Sequence, residues 1–116
     1  MKHTAYIAIG SNIGNPYQNC TEAIHKISNN DSIKIISKSS FYQTSPVGGV
    51  EQDWFINCAI KINTSLTSDS LLFNLLNIES VMGRIRGGKW GPRLIDLDLL
   101  FYDSLISNKK KLTIPH

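Results

Sequence analysis

The pattern of this chain predicts an α+β fold, an antiparallel sheet with two helices packed on one of its faces. Three observations predict it. Three segments alternate apolar and polar residues with the period of two that marks a half-buried strand, and a fourth is rich in β-branched and aromatic residues. Two others place apolar residues at the i, i+4, i+7 spacing of an amphipathic helix. The order along the chain is strand, helix, strand, strand, helix, strand, with no repeat, linker or low-complexity segment between them. At 116 residues, the whole of 1–116 is expected to be one domain with a single core.

In the first strand, Thr4 to Ile9, Ala5, Ile7 and Ile9 alternate with Tyr6 and Ala8, and the glycine-bracketed stretch Gly10 to Gly14 is expected to break it. That stretch matches neither a dinucleotide fingerprint nor a Walker loop. Asn15 followed by Pro16 starts a helix, a capping side chain and then proline at the first helical position. Cys20, Ile24 and Ile27 form its apolar stripe, and 29–32 ends it. Ile33 to Tyr42 is rich in β-branched and aromatic residues and reads as the second strand. Gln43 to Gln52 reads as a loop from its Ser-Pro and Gly-Gly pairs. Trp54 to Thr64 is the third strand, with Ile56, Cys58, Ile60 and Ile62 on one face and Phe55, Asn57, Ala59 and Lys61 on the other. Thr67 or Ser68 caps the second helix, whose stripe is Leu71, Leu75, Ile78 and Met82, with Glu79 at its edge. Arg84 and Arg86 suit the dipole at its end, and Gly87-Gly88 stops it. Leu94 to Tyr102 is the fourth strand. Asp103 to Lys111 reads as a hairpin connection, with Leu112 to Ile114 as a short return strand. The β-α-β-β-α-β order is the ferredoxin-like arrangement, which leaves one sheet face free for a ligand.

The chemistry concentrates where a cationic stretch from Arg84 to Arg93, with Trp90 among glycines, runs into Asp96-Leu97-Asp98. Residues two apart on a strand leave the same face roughly 7 Å apart. Asp96 and Asp98 therefore point together, and Leu97 and Leu99 point away. Asp-x-Asp alone is more often a solvated strand face. Here three arginines and a lysine precede it, and the surrounding strand is apolar. Two carboxylates side by side repel, a divalent cation relieves them, and Mg²⁺ takes one or two carboxylates plus substrate phosphates. If Ile56, Cys58 and Ile60 share the helix-covered face with Leu97 and Leu99, the open face gathers Phe55, Asn57, Asp96 and Asp98.

The net charge of +3 favours an anionic partner. No run approaches the ~20 apolar residues of a membrane span, so no membrane association is expected. No signal peptide precedes the first strand, and Cys20 and Cys58 are isolated thiols without metal spacing, which fits a reducing cytoplasm. An RNA-binding module shares the sheet, the charge and an exposed aromatic, but it needs two or three stacking aromatics where only Phe55 qualifies, and the carboxylates would repel the backbone. A small-ligand regulatory domain of the same fold has no need of Asp-x-Asp beside arginines. Nucleic acid is therefore not the expected partner.

Segments along the whole chain resemble the 6-hydroxymethyl-7,8-dihydropterin pyrophosphokinase family of folate biosynthesis. They are 5–13, 41–48, 55–57, 78–79, 83–86, Trp90 to Asp98 and Leu112 to His116, and Gly-Pro-Arg-x-x-Asp-x-Asp is the most specific of them. The resemblance implies magnesium-dependent transfer of pyrophosphate from ATP to the pterin's primary alcohol, releasing AMP. It implies that Asp96 and Asp98 hold two Mg²⁺ ions and that Arg84 and Arg93 neutralise the transferring phosphates. Arg86, Trp90, Leu99, Lys111, Thr113 and His116 match nucleotide-side positions, with Glu79 an acidic residue near them. Thr44, Val47, Phe55 and Asn57 match the pterin pocket, which Trp90 and Asp96 border. Phe55 stands in place of a frequent tyrosine, Leu76 in place of a frequent glutamine and Ser45 in place of a frequent proline, and the loop before Trp90 is slightly short. The family runs on past the Pro-His pair with an Arg-x-Phe segment, so the expectation is of a domain C-terminally incomplete relative to the family. A monomer is the working expectation.

Overall fold

A computed structural model describes residues 2–45, 54–85, 94–103 and 105–106, the side chains at 84, 85, 105 and 106 excepted. The elements are β1 (His3–Ser11), α1 (Pro16–Ser28), β2 (Ile33–Lys38), β3 (Tyr42–Thr44), β4 (Phe55–Thr64), α2 (Ser68–Ile85), β5 (Asp96–Tyr102) and β6 (Leu105–Ile106). Among the described residues the sheet has six strands in the order β2-β4-β1-β5-β6, and β3 also pairs with β4. All pairings are antiparallel. The expected α+β, ferredoxin-like arrangement is therefore present, with additions.

Alternation builds the core. Ala5, Ile7 and Ile9 of β1 lie opposite Ile62, Ile60 and Cys58 of β4, and Ile7 and Ile9 also lie opposite Leu99 and Leu97 of β5. All of these are buried, and Leu71, Leu75, Ile78 and Met82 of α2 join Cys20, Ala23 and Ile27 of α1 over them. Both helices start as the sequence predicts. The Asn15 side chain accepts from the Gln18 amide at 3.2 Å, with Pro16 in the first turn. Of the two candidate caps for α2 it is Thr67 that serves, its hydroxyl accepting from the Ser70 amide at 3.1 Å.

Several boundaries differ from the sequence reading. β1 does not stop at Gly10 but runs through Ser11, with Gly10 in register against Asn57 on one side and Asp96 on the other. The single strand expected over 33–42 is two. A bulge between Ile35 and Ser37 turns Ile36 outward, and the ladder to β4 is interrupted before β3 resumes it. Ser39 spans the gap: its amide donates to the Ala59 carbonyl at 2.8 Å and its hydroxyl accepts from the Ala59 amide at 2.8 Å. Gln43 and Thr44 are strand rather than loop. At the other end, β6 pairs with β5 through Phe101–Ile106 and Tyr102–Leu105, so Leu105 and Ile106 already form a return strand inside the stretch read as a connection. The turn is made at Asp103, which has φ 53. Leu112 to Ile114 lies outside the described residues. No helix among the described residues is long and apolar enough to cross a membrane.

Candidate active site

The face of the sheet away from the helices carries the candidate site. Register places Asn57, Gly10 and Asp96 in one row across β4, β1 and β5, and Ala59, Ala8 and Asp98 in the next. Asn57 and Asp96 are thus separated by two strand spacings, roughly 10 Å, with only a glycine between them. Asp96 and Asp98 are both half-buried while Leu97 and Leu99 are sealed in the core. One oxygen of each carboxylate, Oδ1, is closed off from solvent. The floor between the carboxylates and the amide is made of the smallest side chains on the sheet.

On the β4 side, Thr44 lies opposite Phe55, and Tyr42 opposite Asn57. The Asn57 amide Nδ2 donates to the Thr44 hydroxyl at 2.9 Å, which fixes the rotation of the carboxamide. Phe55 is half-buried on the same face. The structure thus brings Thr44, Phe55, Asn57, Asp96 and Asp98 onto one surface.

On the β5 side, the site is held from behind. The Glu79 carboxylate on α2 accepts the Leu97 amide at 2.7 Å, anchoring the backbone between the two aspartates. Ser11 donates to the Leu94 carbonyl at 2.7 Å, and the Asn19 amide donates to the Ser11 hydroxyl at 3.1 Å and to the Ile13 carbonyl at 2.8 Å. This network is buried, and it ties the end of β1 and the start of α1 to the chain entering β5. Sequence reading missed Gly10, Ser11 and Asn19. A serine and an asparagine eight apart carry no period, and a buried polar pair shows itself only through its partners.

Leu99 differs from the position the resemblance implies. The residue as a whole is 1% exposed and lies in the core opposite Ile7, so it offers no open surface to a nucleotide. The open face also carries more aromatics than Phe55. Tyr6 and Phe101 meet edge to face at 5.9 Å, with the Lys61 ammonium 6.0 Å from the Tyr6 ring. Phe101 reaches that face because a bulge in the β1–β5 register makes Leu100 an extra residue and reverses the alternation. Arg84 is in the last turn of α2 without a described side chain, and Val47, Arg86, Trp90, Arg93, Lys111, Thr113 and His116 lie outside the described residues.

The two carboxylates fit a hard cation. Among the described residues no group of three or more His, Cys, Asp or Glu side chains is placed to hold a metal, so the described carboxylates are a pair, as in a site completed by substrate and water. That donor set suits Mg²⁺ on a polyphosphate. The Cys20 and Cys58 thiols are buried in the core, away from this face. Cys20 is held above the ordinary thiol range by its hydrogen bond to Cys58 and by burial.

The chain matches the family model described as 7,8-dihydro-6-hydroxymethylpterin-pyrophosphokinase (HPPK) over residues 6–116. It is 39% identical over 112 residues to 2-amino-4-hydroxy-6-hydroxymethyldihydropteridine pyrophosphokinase of Methylorubrum extorquens, covering 97% of this chain and 71% of that one. With the Haemophilus influenzae protein of the same description it shares 41% over 113 residues, covering 97% and 71%. With the Bacillus subtilis one it shares 38% over 116 residues, covering 100% and 70%. Fold and relatives together define an ATP-dependent pyrophosphate-transferring enzyme on an α+β scaffold. The chain belongs to the 7,8-dihydro-6-hydroxymethylpterin-pyrophosphokinase family, whose reaction moves pyrophosphate from ATP to hydroxymethyldihydropterin in folate biosynthesis.

Proposed function

We propose that the open face is the centre of that reaction, with ATP on the β5 side, the pterin on the β4 side, and Gly10 and Ala8 beneath the point where they meet. The observation that supports this most directly is the row Asn57–Gly10–Asp96: an oriented amide and a carboxylate face one another over a floor without side chains. Asp96 and Asp98 would hold two Mg²⁺ ions, which when bound would supply neutralisation of the triphosphate and acidification of the attacking hydroxyl. Thr44, Val47, Phe55 and Asn57 bind the pterin. Asn57 offers one acceptor and one further donor to the pyrimidinone edge, and Phe55 offers a ring for the flat face. Arg84 and Arg93 neutralise the transferring phosphates, and Arg86, Trp90, Lys111, Thr113 and His116 hold the rest of the nucleotide. Glu79 serves from behind the strand.

Transfer at the β-phosphorus asks the protein mainly for alignment and charge neutralisation. The chain's own part is to keep the alcohol in line with the β-phosphorus, which falls to the pterin-side residues, and to spread charge from the phosphate oxygens, which falls to the arginines.

Substituting the aspartates tests the reading. Asp96→Ala and Asp98→Ala are expected to abolish AMP release from magnesium-ATP and hydroxymethyldihydropterin while leaving the unfolding transition near that of the parent, because both side chains leave the core-free face. Near-parental turnover by either variant at ordinary magnesium would sink the assignment.

A further inference from the structure

We propose that Gly10 is a positioning residue for pterin recognition: the empty space above its Cα is the seat of the Asn57 carboxamide. A Cβ built on Gly10 would stand 2.7 Å from Asn57 Oδ1, closer than carbon and oxygen approach in folded proteins. The next atoms, Asn57 Cγ and the Ile56 carbonyl oxygen, are both at 3.8 Å, an ordinary contact. One side-chain atom, and one only, occupies the place of the missing methyl.

Gly10 is not there for its backbone. It sits inside β1 with regular partners on both sides, and its φ is not in the left-handed region. Glycine inside a strand normally weakens it and often marks a close approach of another group. Here the approaching group is an amide held from its far side by the 2.9 Å bond to Thr44. The carboxamide is therefore gripped between the Thr44 hydroxyl and the Gly10 backbone. Moving it off Gly10 disturbs its bond to Thr44. A methyl at position 10 would force that move and turn the acceptor away from the direction in which it meets a ligand N–H. Asp96, opposite Gly10 on the other strand, supplies none of the three atoms nearest to such a methyl, so the clash falls on the Asn57 side of the row.

The inference rests on the assignment of Asn57 to the pterin side, and a double-mutant cycle separates the two. Hydroxymethyldihydropterin binding is measured, in the presence of magnesium and a non-hydrolysable ATP analogue, for Gly10→Ala, Asn57→Ala and the double variant, alongside affinity for the magnesium–analogue complex and the unfolding midpoint. Gly10→Ala is expected to weaken pterin binding about tenfold, the loss of one oriented hydrogen bond, with nucleotide affinity unchanged. Asn57→Ala is expected to weaken it similarly, and the double variant to be no worse than Asn57→Ala. If Asn57→Ala binds pterin normally, the pterin-side assignment fails and takes the inference with it. If Asn57→Ala is impaired but Gly10→Ala is not, or if the two losses multiply in the double variant, the role of Gly10 is overturned and the assignment stands. Should Gly10→Ala alone fail to fold, the double variant, which removes the clash, must fold and bind like Asn57→Ala; its failure would equally overturn the inference.

Discussion

Asp103 shows how much a single side chain can close. It turns the chain from β5 toward β6 with φ 53, a backbone region that aspartate tolerates better than most residues. Its amide donates to the Thr4 carbonyl at 2.6 Å, and its carboxylate accepts the Thr4 amide at 2.8 Å and meets His3 Nδ1 at 2.7 Å. His3 in turn lies against the Tyr102 ring at 5.1 Å. The Thr4 amide first, and His3 second, hold the Asp103 carboxyl below the usual carboxylate range. A lowered folded pKa means stability present above the unfolded value, about 3.9, and lost as pH falls through the folded value. Asp103→Asn is therefore expected to be less stable than the parent at pH 7, and the gap should close on acidification below about pH 4. Urea midpoints of both proteins from pH 7 to pH 3 measure this; a gap that stays constant over that range would refute it.

At the scale of elements, the junction of α2 and β5 sets the site. β6 pairs only with Phe101 and Tyr102, so among the described residues it does not cover the stretch of β5 that carries the aspartates. Glu79 answers for the Leu97 amide there. Removing that acceptor leaves a partly buried N–H unsatisfied, so Glu79→Ala is expected to cost about 1–3 kcal/mol, and Glu79→Gln, which keeps an oxygen, to recover much of it. Hydrogen exchange at the Leu97 amide, together with unfolding curves, checks both; equal loss in the two variants would mean that charge, not the hydrogen bond, is what Glu79 supplies. The helix start offers a simpler case: Thr67→Ala, which removes the cap on the Ser70 amide, should cost ~1 kcal/mol in the same unfolding experiment. These elements differ in how readable they were. The stripes of α1 and α2, the Asn15-Pro16 start and the alternation in β4 are local patterns with a fixed period, and each appears where the sequence predicts it. The strand break at Ser39, the bulges at Ile36 and Leu100 and the passage of β1 through Gly10 are not local. A neighbouring strand decides them, through a hydroxyl that replaces an amide's partner or a side chain that needs the space above a glycine.

At the scale of the whole molecule, the sheet divides labour between its faces. This much was legible, since parity alone put Phe55, Asn57, Asp96 and Asp98 together and Ile56, Cys58, Ile60 and Leu97 opposite. What was not legible is the spacing, because Asn57 and Asp96 become neighbours only when β1 passes between them with Gly10 in the row. The division makes a prediction that no single site makes. Ile60 is 1% exposed, faces the helices and lies opposite Ile7, which in turn lies opposite Leu99. Truncating it leaves a cavity beneath β1, so Ile60→Ala is expected to cost about 2–5 kcal/mol of stability. Asn57, three residues earlier on the same strand but on the other face, should cost little stability when truncated and about tenfold in pterin affinity. The two side chains leave opposite faces of β4, so their effects should add within roughly 0.5 kcal/mol when combined. Unfolding and pterin binding measured for both singles and the double, well below the lowest unfolding midpoint, test this. A loss of affinity in folded Ile60→Ala as large as that in Asn57→Ala would show that the open face depends on the packing beneath it, and that the two faces are not separable.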